Sequence, residues 1–327
     1  MLSQRLQALH QLRQSLLDIP EEILQKAENR NPWFTRAFLQ QAIQTIVNEY
    51  LDHELLKNFS SAIPETLSHP KTIGVVMAGN IPLVGFHDVL CVYLSGHQGK
   101  FKAAEADTVL MRFVIDTLHH FDPNAITQIQ LAERLNGCDA YIATGSNQSA
   151  GHFEYYFGKQ PNIIRRNRTS VAILEGNETP EELAALADDV YLYFGLGCRN
   201  ITHIAVPENY NFEPLLHAFR KYDALKDHNK YRNNYDYQLA LYILNGQFYM
   251  SNESVLLVEN AALFSPVSVL HYSFYSDAET LRNQWQENAD IQAIVGHGGL
   301  PFGSAQCPAL NQYADGVNTL DFLLSLA

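Results

Sequence analysis

Cysteine is scarce in this sequence: four residues, at 91, 138, 198 and 307 of 327. Their spacings match no zinc-ligand pattern, and so few thiols do not suggest a disulfide scaffold. No bound metal is expected. Basic residues are also few. Lysine and arginine number 22 against 35 acidic residues, a formal charge of -13, and no long basic run occurs. That balance argues against a nucleic-acid partner. No apolar run approaches the ~20 residues a membrane-spanning helix needs. Residues 1–20 read as an amphipathic helix with Gln and His throughout, without the continuous apolar core of a signal peptide. The expected compartment is a reducing cytoplasm. There is no internal repeat and no low-complexity linker.

What is there is an ordinary globular composition, 46% apolar and 17% charged, long enough for two domains and a large core. Apolar residues three or four apart predict helices over 2–17, a short piece after Pro20, and 33–50. The run 71–78 is short, apolar and ends in small residues, so it predicts a buried strand. A helix (84–95), a strand (99–102), a helix (106–119), strands near 126–129 and 140–143, and a helix (148–157) follow. From Ser170 the alternation restarts: strand 170–174, helix 180–193, strand 201–206, a long helical stretch 212–244, strands 255–259 and 268–274, helix 278–287 and strand 291–295. Residues 296–303 are rich in Gly and Pro and read as a loop. The end, 309–327, is weakly helical. Strands alternating with helices predict an α/β fold with parallel sheets covered on both faces.

One stretch draws the chemistry: Tyr191-Leu192-Tyr193-Phe194-Gly195-Leu196-Gly197-Cys198-Arg199-Asn200. It places Cys198 on a glycine-containing turn between a predicted helix and a predicted strand. A thiol there would face a cleft, with its own backbone N–H beside it. Nucleophilic catalysis needs both, the reach and a donor for the oxyanion it creates. Buried structural cysteines are common, and the spacing alone does not separate the two roles.

Several stretches, in order, resemble the aldehyde dehydrogenase superfamily. Ala78-Gly79-Asn80-Ile81-Pro82-Leu83 resembles its strand-end motif with an asparagine before an apolar-Pro-apolar triplet. Gly99-Lys100-Phe101-Lys102-Ala103-Ala104-Glu105 is similar to its lysine-bearing strand end, and Thr144-Gly145-Ser146 to the turn near the cofactor pyrophosphate. Phe264-Ser265-Pro266-Val267 and Leu300-Pro301-Phe302-Gly303 resemble two late landmarks. A closer resemblance is to the acyl-CoA reductase family of bacterial luminescence (LuxC-like). It rests on residues 78–88, on Asn167-Arg168-Thr169-Ser170-Val171, and on Phe194-Gly195-Leu196-Gly197-Cys198-Arg199-Asn200.

The resemblance implies an aldehyde-dehydrogenase-like architecture: a Rossmann-type nucleotide-binding domain over 1–167 and an α/β catalytic domain over 168–300, with the tail 301–327 returning to the first. It implies Cys198 as nucleophile and Asn80 as the oxyanion amide, although an asparagine before Pro82 also suits a helix cap. Lys102 and Glu105 would hold the adenosine ribose, and Gly145 and Ser146 would lie beside the pyrophosphate. A carboxylate at the ribose disfavours a 2′-phosphate, while the luminescence enzymes favour NADPH, so the cofactor stays open between NADPH and NADH. The superfamily's next glycine is Ala150 here, followed by Gly151.

Two departures shape the expected reaction. Ile164 stands where hydrolytic members carry a glutamate, and an alkyl side chain cannot activate water. Glu175, at a strand end, is the one substitute nearby. Ala262 stands where the superfamily binds the nicotinamide ribose through a glutamate. The implied activity is reduction of a fatty acyl thioester to the aldehyde. The alternatives are an NAD(P)-dependent aldehyde dehydrogenase and a non-reducing acyl-carrier subunit. The implied partners are an acyl-CoA or acyl-protein donor and an acyltransferase or synthetase; a homo-oligomer is compatible. Arg165, Arg166 and Arg168 could pair with a cofactor or coenzyme A phosphate or form a solvated hinge. Lys221, Lys226, Lys230 and Arg232 read as an exposed helix face. His87 and Asp88 carry no assignable chemistry.

Overall fold

The computed structural model describes residues 1–326. They form two compact units: Met1–Asn167 together with the chain from Pro308 onward, and Arg168–Cys307.

The first unit is built on five strands: β1 (Thr72–Val76), β2 (Gln98–Lys102), β3 (Ile129–Leu131), β4 (Ala140–Thr144) and β5 (Asn162–Arg165). Their order is β3-β2-β1-β4-β5, and every pair is parallel. Ile73, Val75, Ala140 and Ile142 are fully buried, the composition a strand needs when helices cover both faces. Helix Phe86–Ser95 follows β1 and is buried at nearly every position, so it shows no polar face. Helix Leu2–Leu17 presents Ala8, Leu9, Leu12 and Leu16 to the core at helical spacing. Its Arg5 is buried and donates to the carbonyls of Tyr93 (3.0 Å) and Leu94 (2.7 Å), a cation on the negative end of helix Phe86–Ser95. The tail is tied in by histidines. His87 Nε2 donates to Leu310 O (2.9 Å) and His97 Nε2 to Leu323 O (2.8 Å).

The second unit holds β6 (Thr169–Ile173), β7 (Ile201–Pro207), β8 (Met250–Ser251), β9 (Leu256–Glu259), β10 (Val269–Tyr275) and β11 (Ile291–Val295). The order is β11-β6-β7-β10-β9-β8. All pairs are parallel except β8 with β9. Helix Pro180–Tyr191 precedes the cysteine turn. It starts with a capping box between Thr179 and Glu182 and a first-turn proline.

Four expectations need correction. The strand expected near 126–129 is a helical turn, Ala125–Gln128, followed by β3. The Asp122-Pro123-Asn124 turn starts it, with Asn124 N–H on Asp122 Oδ1 (3.1 Å), and β-branched Ile126 and Thr127 gave the misleading signal. The helical stretch 212–244 is two helices, Glu213–Ala218 and Asn229–Leu244, joined by a 3-10 segment Phe219–Asp227 that leaves helical geometry at Tyr222. The helix expected to run to residue 193 stops at Tyr191. Residues 301–307 stay with the second unit and do not leave with the tail. The N–H groups of Gly303 (2.7 Å) and Ala305 (2.9 Å) donate to the carboxylate of Asp189 on helix Pro180–Tyr191.

Candidate active site

In the first unit the strand order reverses between β1 and β4, since β1 continues to β2 on one side and β4 to β5 on the other. In open α/β sheets ligands bind outside the carboxyl ends of the strands at such a reversal. Those ends carry five of the six candidate residues. Asn80 follows β1 and is exposed; Lys102 ends β2, with Glu105 just after it; Gly145 and Ser146 follow β4. Ser146 caps the helix Asn147–Phe157, accepting from Ser149 N–H at 3.2 Å. That helix is 11 residues long, so its N-terminus offers N–H groups and partial positive charge to an anion. Ala150 is buried within it, and Gly151 is exposed. A helix start after β4, together with an ammonium and a carboxylate at β2, could hold a dinucleotide.

Two details modify the reading of the β2 end. The Glu105 carboxylate, largely exposed, is paired with Arg30, so a guanidinium stands against the group that would repel a 2′-phosphate. The loop after β1 lies close on the segment after β2. A Cβ placed on Gly79 would sit 2.5 Å from the Ala104 Cβ, and only glycine tolerates that approach.

The three arginines separate. Arg165 is buried and forms a bidentate pair with Asp88 (2.7 and 2.9 Å), with Thr319 Oγ1 accepting at 2.8 Å. It is committed to that pair and unavailable to a phosphate, which gives Asp88 its role. Arg166 is exposed and paired with Glu154. Arg168 reaches Ile291 O at 3.5 Å. Ile164 lies within β5, opposite Ala143. Lys221, Lys226 and Arg232 meet Asp188, Glu253 and Asp236 as solvated pairs.

In the second unit Cys198 is half-buried on the turn between helix Pro180–Tyr191 and β7. The turn is unusual. Tyr193 (φ 55°), Phe194 (φ 59°) and Gly195 (φ 75°) are three consecutive left-handed residues. Such a conformation is costly for non-glycine residues and persists only where the surroundings over-determine it. Here Tyr193 and Phe194 are buried, and Phe194 meets the rings of His228 (4.5 Å) and Tyr231 (5.6 Å). Asn200 does the rest. It is fully buried. Its amide donates to Asp189 O (3.0 Å) and Leu192 O (2.8 Å) at the end of the helix, and its oxygen accepts from Gly197 N–H (2.8 Å). Ser170 Oγ, on β6, donates to the Cys198 carbonyl at 3.2 Å. The cysteine is therefore held from its carbonyl side and through its neighbour Gly197.

Asp189 joins this turn to residues 303–305. Burial pushes its carboxyl up to about 7, and its two backbone N–H bonds pull it back only in part. Glu175 shares His297 with Glu182; His297 lies at 3.4 Å from the first and 3.0 Å from the second. The Ala262 carbonyl accepts from Nδ1 of His203 (3.1 Å) and of His271 (2.9 Å), both buried. Desolvation lowers both imidazoles, His203 to about 4. Among the described residues no cluster of His, Cys, Asp or Glu could hold a metal, and no helix is long and apolar enough to cross a membrane.

Asn200 and Asp189 went unassigned in the sequence. Asn200 stood inside the quoted motif without a role. Asp189 gave one signal, a charged residue on the apolar face three residues after Leu186.

No protein-family model matches the chain, and no curated protein sequence matches it. Solved structures do. The chain is similar to aldehyde dehydrogenase 21 of Physcomitrella patens in complex with succinate, at 12% identity and a TM-score of 0.72, over 99% of this chain and 84% of that one. It is similar to a variant aldehyde dehydrogenase of Bacillus cereus at 13% identity and a TM-score of 0.70, covering 90% and 72%. A NAD-dependent benzaldehyde dehydrogenase of Corynebacterium glutamicum aligns at 13% identity and a TM-score of 0.62, covering 84% and 72%. The fold is that of the aldehyde dehydrogenases.

Proposed function

We propose that this chain is an oxidoreductase of the aldehyde dehydrogenase type that reduces a fatty acyl thioester to the aldehyde, with NADPH or NADH, through an acyl group carried on Cys198. The observation that carries the proposal is the Cys198 turn, with its three left-handed residues and the Asn200 clamp, in a chain of this fold. Strain of this kind is kept where it positions a reactive group.

The Cys198 thiolate attacks the thioester carbonyl; an S–C bond forms and the donor thiol leaves with a proton. The Cys198 N–H is the proposed oxyanion donor of the second unit, and Asn80 is the amide that the resemblance assigns to the same task; removal of one such donor typically costs about 10²–10³ in rate. The dinucleotide would be held by Lys102 and Glu105 at the ribose and by Gly145, Ser146 and the helix start behind them at the phosphates. When bound, it supplies hydride. The chain's own contribution is then to withhold water, and Ile164 suits that: an alkyl group there cannot act as a base. Related solved structures include a NAD-dependent dehydrogenase. The Arg30–Glu105 pair keeps NADPH in play beside NADH.

A second reading, a non-reducing acyl carrier, is favoured by Ala262: its carbonyl is occupied by two imidazoles, and no carboxylate stands at that residue. A nucleotide titration separates the two, because a pure carrier has no need to bind NADPH or NADH. The acylation half of the proposal is tested by intact-protein mass spectrometry with dodecanoyl-CoA. Cys198→Ala abolishes the acyl adduct, while replacements of Cys91, Cys138 and Cys307 keep it. An adduct on Cys198→Ala protein would refute the assignment.

A further inference from the structure

Asp107 is a buried acid that the proposed reaction does not use. It lies just after β2, in the segment that carries Glu105, and is 2% exposed. One oxygen accepts from Leu83 N–H at 2.9 Å; the other, Oδ1, is buried without a hydrogen-bond partner. No arginine or lysine pairs with it among the ion pairs of the described residues. Burial raises its carboxyl well above the usual range, and the Leu83 N–H opposes this only in part.

Its partner is a strained residue. Leu83 has φ 56°, a left-handed conformation that a leucine adopts only under constraint. Leu83 is also buried. The loop after β1 therefore touches the segment 104–107 at two points: Gly79 lies against Ala104, and Leu83 hangs from Asp107. Asn80 sits between these points.

We infer that Asp107 is a positioning residue for Asn80, acting as the buried acceptor that holds Leu83 in its left-handed turn and so fixes the loop 79–83. The inference rests on the reading of Asn80 as the oxyanion donor for its effect on rate, but not for its effect on the loop. An asparagine has the same shape and the same acceptor, so Asp107→Asn keeps the loop and the rate. Asp107→Ala frees the Leu83 N–H and lets the turn relax; displacement of a catalytic group by about 1 Å can cost on the order of 10²-fold. Because both changes act through one amide, Asn80→Ala with Asp107→Ala together are no slower than Asn80→Ala alone. A merely structural acid would lower stability and leave that kcat relation additive.

The test uses the full chain with dodecanoyl-CoA and NADPH, reading kcat and KM, together with hydrogen exchange of the peptide 79–85. The expected result is a kcat loss in Asp107→Ala with little change in nucleotide KM, faster exchange of 79–85, rescue of both by Asp107→Asn, and no added loss in the double variant. Where Asp107→Ala does not fold, Asp107→Glu, which displaces the acceptor by one methylene, takes its place with the same expectation. Unchanged exchange of 79–85, multiplying losses in the double variant, or failure of Asp107→Asn would each overturn the proposal. If Asn80→Ala reduces substrate at the normal rate while 79–85 still loosens in Asp107→Ala, the positioning stands and the oxyanion role of Asn80 falls.

Discussion

Asn200 decides the shape of the cysteine turn. Its side chain satisfies two carbonyls at the end of helix Pro180–Tyr191 and the Gly197 N–H, all within a buried setting. Removing one partner from a buried polar group costs about 1–3 kcal/mol, and Asn200→Ala removes the partner of several at once. The variant is expected to unfold at clearly lower urea concentration than the parent and to acylate more slowly at Cys198. Asn200→Asp keeps the acceptor for Gly197 but cannot donate to the carbonyls, so it fails similarly. Urea midpoints and the rate of adduct formation check this. Equal midpoints and equal rates would show that the turn holds itself.

At the scale of elements, Asp189 fastens residues 303–305 to helix Pro180–Tyr191, and its raised carboxyl gives the contact a pH dependence. An acid whose folded value lies above its unfolded value binds more protons when folded. Stability is then full below about 4, the unfolded value, and falls as pH rises toward about 7, by up to ~1.4 kcal/mol per pH unit. Asp189→Asn lacks this slope, so its stability relative to the parent improves between pH 4 and 8. Urea titrations at several pH values measure it; parallel profiles for the two proteins would contradict it.

Most elements were legible because their apolar residues follow one period. Helix Leu2–Leu17 and strands β1, β4, β6 and β7 stand where spacing puts them. Among the features that were not, three have plain physical reasons. Strand β5 was hidden because it ends in Arg165, whose charge reads as loop until Asp88 is known to neutralise it. The end of helix Pro180–Tyr191 was hidden because Tyr193 and Phe194 continue its apolar pattern while taking left-handed angles. Asp107 was hidden because a single acid after a strand gives no sign of burial. The candidate residues of the β1, β2 and β4 ends were named through a resemblance, and the strand order adds only that they lie at the carboxyl ends of strands beside a reversal.

For the whole molecule, the proposed function turns on whether an acyl group on Cys198 is reduced or hydrolysed, and the proposal assigns Ile164 to the first outcome. The direct test is a single turnover. The protein is mixed with one equivalent of dodecanoyl-CoA without nucleotide, held, and then given NADPH or NADH, with products resolved by chromatography. The expected result is an acyl-enzyme that persists for minutes and is discharged to dodecanal when nucleotide is added. Rapid appearance of dodecanoic acid before any nucleotide is present would contradict it.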